Sequence, residues 1–157
     1  MNVAFQRNVG SFIHAVAGLA AQTITAGGAA DAVAQNGITF DRNSLGDTVL
    51  SALFVLHAEL ALGASDTATA LITFEDSADG STWAAYDGGP PDDYAAEVTA
   101  ANADGHHIFT RKCQLGGARR YVRAVITITL SAGATDTAKV DGVFVVGGSY
   151  ELPISEA

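Results

Sequence analysis

Histidine and acidic side chains are the first residues of this chain to consider for metal chemistry. Asp104 lies two residues before the adjacent His106 and His107, and imidazole and carboxylate groups are ligands that divalent transition metals accept. Neighbouring residues of a strand point to opposite faces of a sheet, so the two histidines would not both face one metal. The sequence therefore favours structural or surface roles for these residues, and we expect no metal site.

Catalysis would need a nucleophile with a base beside it, and the sequence offers no such constellation. Cys113 is the single cysteine, so no intrachain disulfide can form, and no local signature of a cysteine nucleophile surrounds it. The chain contains no GxSxG nucleophile elbow and no phosphate-binding glycine motif. We expect no catalytic residue, no cofactor and no enzymatic activity.

The basic residues are unevenly distributed in this acidic chain. The formal net charge is -9, and five of the eight Lys and Arg residues lie within thirteen positions. One interpretation is internal pairing with the many carboxylates; the other is a docking face for an acidic partner, where complementary charge sets orientation. Nucleic-acid binding comes third, because an acidic chain repels phosphate backbones. The candidate partner-binding residues are Arg111, Lys112, Arg119, Arg120 and Arg123.

Apolar residues alternate with polar ones over most of the chain after Asp47. Such alternation is typical of antiparallel sheets with one buried face, and 157 residues suffice for one domain with a core. Shorter strands are predicted at residues 82–86 and 107–115. We predict an all-β fold, an antiparallel β-sandwich of jelly-roll or Ig-like type with an extended N-terminal arm. The predicted inward faces are 50, 52, 54, 56, 58 and 60; 68, 70, 72 and 74; 122, 124, 126, 128 and 130; and 138, 140, 144 and 146.

The first part of the chain differs in composition from the rest. Residues 1–45 are rich in Ala, Gly, Gln and Asn, and we interpret them as the arm, with a short strand at 22–25 and a short helix near residues 12–19. Residues 46–150 form the predicted sandwich and residues 151–157 a C-terminal tail. No apolar run is long enough to span a bilayer.

Turn-forming sequences separate the predicted strands. FEDSADGSTW at residues 74–83 is typical of a hairpin with an Asp-Gly turn and Trp83 packed at its base. GGPPDD at residues 88–93 indicates a loop, and no firm strand is predicted for 88–106. GASDTA at 63–68 echoes GATDTA at 133–138. These are either two hairpin loops of similar chemistry, or a duplicated hairpin or two loops side by side at one end of a sandwich.

Several segments together resemble small structural proteins of tailed bacteriophages, in the head-decoration (cement) group. They cover most of residues 22–147 and leave residues 1–21 unexplained. The hairpin followed later by an RYVR strand is characteristic of such proteins, although other sandwiches share this chemistry. The segments are TITAGG at 23–28, GITFDR at 37–42, FEDSADGSTW at 74–83, ARRYVRAVITIT at 118–129 and a Val-rich last strand.

The resemblance implies a virion structural protein without catalytic residues. It would bind the outer surface of an icosahedral capsid, with the major capsid protein as its partner, and form homo-oligomers, commonly trimers. No membrane association and no direct nucleic-acid role are expected. Two alternatives stay open: another phage head–tail connector or tail structural protein, and a carbohydrate-binding β-sandwich module. The aromatics that such a module could use are Trp83, Tyr86, Tyr94, Tyr121 and Tyr150.

Overall fold

The computed structural model of the chain describes residues 13–45, 48–87, 97–131 and 135–148. These segments contain strands and turns and no helix, and therefore none long and apolar enough to cross a membrane. The strands are β1 (Ile13–Thr25), β2 (Gln35–Asn36), β3 (Phe40–Asp41), β4 (Ser51–Ala61), β5 (Ala68–Ser77), β6 (Ala84–Tyr86), β7 (Glu97–Ala101), β8 (Gly105–Gln114), β9 (Tyr121–Leu130) and β10 (Thr137–Gly147).

Two antiparallel sheets face each other. Sheet A has the order β1-β10-β4-β8, and sheet B has β9 and β5 at its centre. The short strands β2 and β3 both pair with β9, while β6 and β7 both pair with β5, so each sheet is four positions wide. Strands that follow one another along the chain lie mostly in opposite sheets, which is the topology of a jelly roll. The predicted antiparallel sandwich is confirmed, and its topology is jelly-roll rather than Ig-like.

The predicted alternation defines the core. In β4, residues 52, 54, 56, 58 and 60 are buried, whereas the residues between them are partly exposed. The inward faces predicted for β5, β9 and β10 are buried as well. Burial of these alternate apolar side chains between the sheets is what holds a sandwich together.

Phe54 is the centre of the core. Its ring meets Phe144 edge-on at 5.0 Å and Phe74 at 6.5 Å. Two glycines make room for it, because a Cβ at Gly142 would lie 2.6 Å from Phe54 Cζ and one at Gly18 would lie 2.7 Å from Phe54 Cε2. These two strands need glycine at these points because the aromatic ring occupies the side-chain volume.

The segment between β2 and β3 joins the sheets at one edge of the sandwich. The Ile38 amide donates to the Gly18 carbonyl in sheet A, and the Gly37 amide donates to the Ala124 carbonyl in sheet B, both at 2.8 Å. A Cβ at Gly37 would lie 2.4 Å from the Gly18 oxygen. Glycine therefore permits the close backbone approach that closes this edge.

The structure corrects the conformation expected for the N-terminal region. The predicted helix near residues 12–19 is wrong, because Ile13–Thr25 forms one long strand paired with β10. Register shifts after Ala17 and after Leu19 disturb its alternation, which explains why only residues 22–25 look like a strand in the sequence. The described part of the predicted arm thus belongs to the sandwich. The domain boundary at residue 45 stays a prediction, and residues 1–12 and the tail 151–157 lie outside the described residues.

The prediction of no firm strand in residues 88–106 is wrong for the second half of this stretch. It contains β7 and the beginning of β8. β7 extends sheet B along β5 beyond the end of β6. The predicted loop at residues 88–93 lies outside the described residues.

Candidate partner-binding surface

Arg111 does not lie on a surface. Its side chain points into the sandwich from β8, and the residue is 4% exposed. Its guanidinium donates to the Ile72 carbonyl and lies 4.8 Å from the centre of the Phe74 ring. Arg111 therefore links sheet A to sheet B from within. Its burial does not favour the predicted contact with a partner, which stays a prediction.

Lys112 is exposed on the outer face of sheet A. It follows Arg111 on β8, where it is the cross-strand neighbour of Leu53. Successive side chains of a strand leave on opposite faces, so this lysine and Arg111 are separated by the sheet itself. Lys112 thus faces away from the remaining candidates, which lie on or near β9 in sheet B.

Arg119 and Arg120 belong to the loop between β8 and β9. Their side chains are 51% and 53% exposed. The Arg120 guanidinium makes hydrogen bonds of 2.7 to 3.2 Å to both carboxylate oxygens of Asp41, which keeps the pKa of that carboxyl below its usual range. Arg119 donates its backbone amide to Asp76 at 2.8 Å, while its guanidinium stays 3.7 Å from the same carboxylate. Both side chains are oriented by acids and still face solvent.

Arg123 is held more firmly. Its Nε and Nη2 donate to one oxygen of Glu75 at 2.9 and 2.7 Å, and its guanidinium carbon lies 4.2 Å from the centre of the Trp83 ring. The side chain is 18% exposed. Charge-assisted hydrogen bonds and a cation–π contact together stabilise one rotamer, so Arg123 contributes mainly to the structure of this surface.

The turn of the 74–83 segment supports that arrangement. Asp79 accepts hydrogen bonds from the amides of Ser81 and Thr82, both at 2.8 Å. These donors stabilise the carboxylate and hold the pKa of Asp79 far below its usual range. Gly80 takes a φ of 74° beside the Tyr121 ring. Asp79 is not among the described non-glycine residues with positive φ, and the β5–β6 ladder ends at Asp76 and Ala84, so the connection is a longer loop than the tight Asp-Gly turn predicted from the sequence. The turn thereby places Trp83 beside β9.

Arg42 is a contributor that the sequence reasoning missed. It is buried, and its guanidinium donates to the carbonyls of Ala118 and Arg119, while its Nε donates to Val49 at 3.1 Å. A buried arginine donating to several carbonyls fixes the loop that carries the exposed guanidinium groups. The only sequence signal was its position at the end of the GITFDR segment.

The structure therefore brings together three of the five predicted residues. Arg119, Arg120 and Arg123 share one end of the sandwich, near the start of β9, with Trp83 and Tyr121 among them. We call this set the arginine surface. Arg111 lies beneath it in the core, and Lys112 belongs to the outer face of the other sheet.

The histidines are arranged differently from the metal pairing considered for Asp104, His106 and His107. His106 meets His57, with Nδ1 and Nε2 3.0 Å apart, and His57 Nδ1 lies 2.9 Å from Asp141. His107 instead contacts the Ala103 carbonyl. Within the described segments, no group of three or more His, Cys, Asp or Glu side chains is arranged to hold a metal ion.

Comparison with known proteins gives no family. No protein-family description matches the chain, and no curated protein matches it.

Solved structures give distant similarities. The PBSX exported protein XepA is 12% identical, with a TM-score of 0.46 over 88% of this chain. A Bacillus endospore appendage protein is 14% identical, with a TM-score of 0.35 over 88%. The infectious bursal disease virus VP2 subviral particle is 8% identical, with a TM-score of 0.45 over 87% of this chain. The chain spans 38%, 89% and 32% of these three chains, respectively.

Further neighbours come from virus particles, among them deformed wing virus and Israeli acute paralysis virus. Identities of this size, with TM-scores below 0.5, carry no argument about function. The assignment of the fold therefore depends on the strand order and the burial described above.

Proposed function

We propose that the chain is a virion structural protein and, within that class, a decoration (cement) protein that binds the outer surface of a bacteriophage capsid. The sequence resemblance over residues 22–147 supports this proposal. The jelly-roll topology is compatible with it, because viral capsid domains use this fold. The fold also serves other functions, so docking on a capsid depends on the residues of one surface rather than on topology.

The arginine surface carries the docking part of the proposal. Arg119 and Arg120 expose about half of each side chain at one end of a chain whose net charge is -9. Charge pairs at the rim of an interface mainly set orientation and the rate of encounter. An acidic patch on the major capsid protein would match this surface, and the partner's carboxylates would share guanidinium donors with Asp41 and Asp76.

The proposal includes a homo-oligomer, with the trimer as the expected state. A trimer would place three arginine surfaces around one axis and so multiply the contacts with a capsid. Light scattering of the isolated protein over a range of concentrations checks this state. A strict monomer at high concentration would contradict it.

The carbohydrate-binding alternative gains no support from the described aromatics. The Trp83 ring is covered by Arg123, Tyr121 is contacted by Arg120 and the Gly80 turn, and the Tyr86 hydroxyl donates to the Gln114 carbonyl. Tyr94 and Tyr150 lie outside the described residues. A sugar-binding platform needs exposed aromatic faces, and Trp83 and Tyr121 each have an arginine over one face of the ring.

Copy number per particle tests the proposal against a connector or tail role. Quantitative mass spectrometry of purified particles would measure the ratio of this chain to the major capsid protein. A decoration protein should be present in a number that scales with the capsid subunits. A small fixed number at one vertex, or absence from the particle, would overturn the proposal.

A further inference from the structure

The described residues of the two similar loops, 63–68 and 135–138, lie side by side at one end of the sandwich. The Thr67 amide donates to Ser131 Oγ at 2.6 Å, and the Ser131 amide donates back to the Thr67 carbonyl at 2.9 Å. The Gly63 amide donates to Asp136 Oδ1 at 2.8 Å. The described residues of GASDTA and GATDTA thus agree with the side-by-side arrangement, and they bring Asp66 and Asp136 to one place.

Asp136 is buried, and one of its two carboxylate oxygens accepts no hydrogen bond from the described residues. The residue is 1% exposed. Its Oδ1 accepts the Gly63 amide, but Oδ2 has no hydrogen-bond partner among the described residues. A buried carboxylate oxygen without a donor is unfavourable, and either a cation or a shared proton would supply what the described protein groups do not.

Asp66 adds a second carboxyl group at this point. Its side chain lies within hydrogen-bonding distance of that of Asp136, and desolvation together with the charge of Asp136 raises the pKa of Asp66. Two carboxylates in contact cannot both remain charged unless a cation or a shared proton lies between them. The arrangement depends on a glycine, because a Cβ at Gly63 would lie 2.3 Å from Asp66 Oδ2.

The surroundings increase the negative potential at this end. Asp104 accepts the Leu62 amide, and Asp31 accepts the amides of Gly27 and Leu130. The nearest basic side chain of the described segments on this half of sheet A, Lys139, is paired with Glu59. Such a distribution attracts cations.

We propose that Asp66 and Asp136 bind a hard divalent cation of the Ca²⁺ class between the two loops. Ca²⁺ accepts carboxylates, backbone carbonyls and water in flexible geometry, so two carboxylates can anchor it while carbonyls and water complete the shell. With so few charged ligands, the dissociation constant should fall at the weak end of protein sites, about 10⁻⁴–10⁻³ M. This site differs from the sequence expectation of no metal.

Calcium titration of the full chain tests the proposal, by calorimetry and by the midpoint of thermal unfolding. We expect saturable binding of Ca²⁺, a midpoint that rises with its concentration, and a much smaller effect of Mg²⁺, which dehydrates reluctantly. Asp66→Asn should weaken binding by about tenfold or more, since even outer-shell changes do so. Gly63→Ala should have the same effect by displacing Asp66. Asp79→Asn removes the same charge from the turn at the opposite end of β5 and should leave binding intact.

Three results would overturn the proposal. The first is no heat and no shift of the midpoint at about 10 mM Ca²⁺, roughly ten times the weaker limit. The second is equal binding by wild type and Asp66→Asn. The third is a shared proton: a midpoint insensitive to Ca²⁺ that falls as the pH rises through the raised pKa of Asp66 in the wild type but not in Asp66→Asn. Asp66 is the better residue to substitute, because Asp136 also accepts the Gly63 amide.

Discussion

The guanidinium of Arg123 lies 4.2 Å over the Trp83 ring while it donates two hydrogen bonds to Glu75. One side chain on β9 thereby ties together the end of β5 and the turn that follows it. The hairpin sequence FEDSADGSTW thus contacts Arg123 of β9 through both Glu75 and Trp83.

Loss of Arg123 should destabilise the fold measurably. Arg123→Ser removes a partly desolvated cation–π contact and two charge-assisted hydrogen bonds, which together should lower the free energy of unfolding by about 2 kcal/mol. Arg123→Lys keeps the charge but not the planar fork of hydrogen-bond donors. Its free energy of unfolding should therefore lie between those of the wild type and Arg123→Ser. Urea denaturation measures both. A loss below about 0.5 kcal/mol, as for an ordinary surface substitution, would contradict the structural role assigned to Arg123.

Gly142 should tolerate no side chain. Gly142→Ala places a methyl 2.6 Å from the Phe54 ring, and such overpacking should cost about 1–3 kcal/mol. Gly116→Ala is the matched control, because a Cβ there meets no atom within 4 Å. Thermal unfolding of the two variants distinguishes them, and equal midpoints would show that Phe54 does not occupy the space beside Gly142.

Cys113 should be unreactive in the folded protein. Burial raises the pKa of its thiol to about 12, which lowers the thiolate fraction about a thousandfold relative to an ordinary cysteine. A colourimetric thiol reagent should therefore label the native chain slowly and the urea-unfolded chain at once. Rapid labelling of the native protein would contradict the burial of the Cys113 side chain on the inner face of β8.

The Asp79 turn should make stability depend on acid pH. The lowered pKa of Asp79 means that its contribution is fully present above the unfolded pKa, about 3.9, and is lost as the pH falls through the folded value. The difference in unfolding midpoint between wild type and Asp79→Asn should therefore shrink from about pH 5 downwards. A difference that stays constant over this range would show that the charge of Asp79 is unimportant.

Strong alternation made most of the sandwich predictable. β4, β5, β9 and β10 have apolar residues, from Ala to Phe, at almost every second position. β1 was not predicted as a long strand, because its many Ala, Gly and Gln residues weaken the apolar alternation and register shifts interrupt it. β2 and β3 are two residues long, and a pair of residues has no period to detect.

The candidate surface was predictable in part, for a related reason. Grouping residues 111–123 by their distance along the chain ignored the alternation of β8, which sends Arg111 inward and Lys112 outward. The same rule applied to this strand would have separated them. Arg42 and the Asp66–Asp136 pair depend on contacts between distant segments, which one sequence does not reveal.

Occupancy of the chain on purified capsids, with and without the arginine surface, tests the central claim most directly. Arg119→Ser/Arg120→Ser should fold as the wild type does and bind the particle more weakly, with the difference largest at low salt. Lys112→Ser/Lys139→Ser removes equal charge from sheet A and should leave occupancy unchanged. Unchanged occupancy of the arginine variant, or an equal loss in both, would contradict docking through this surface.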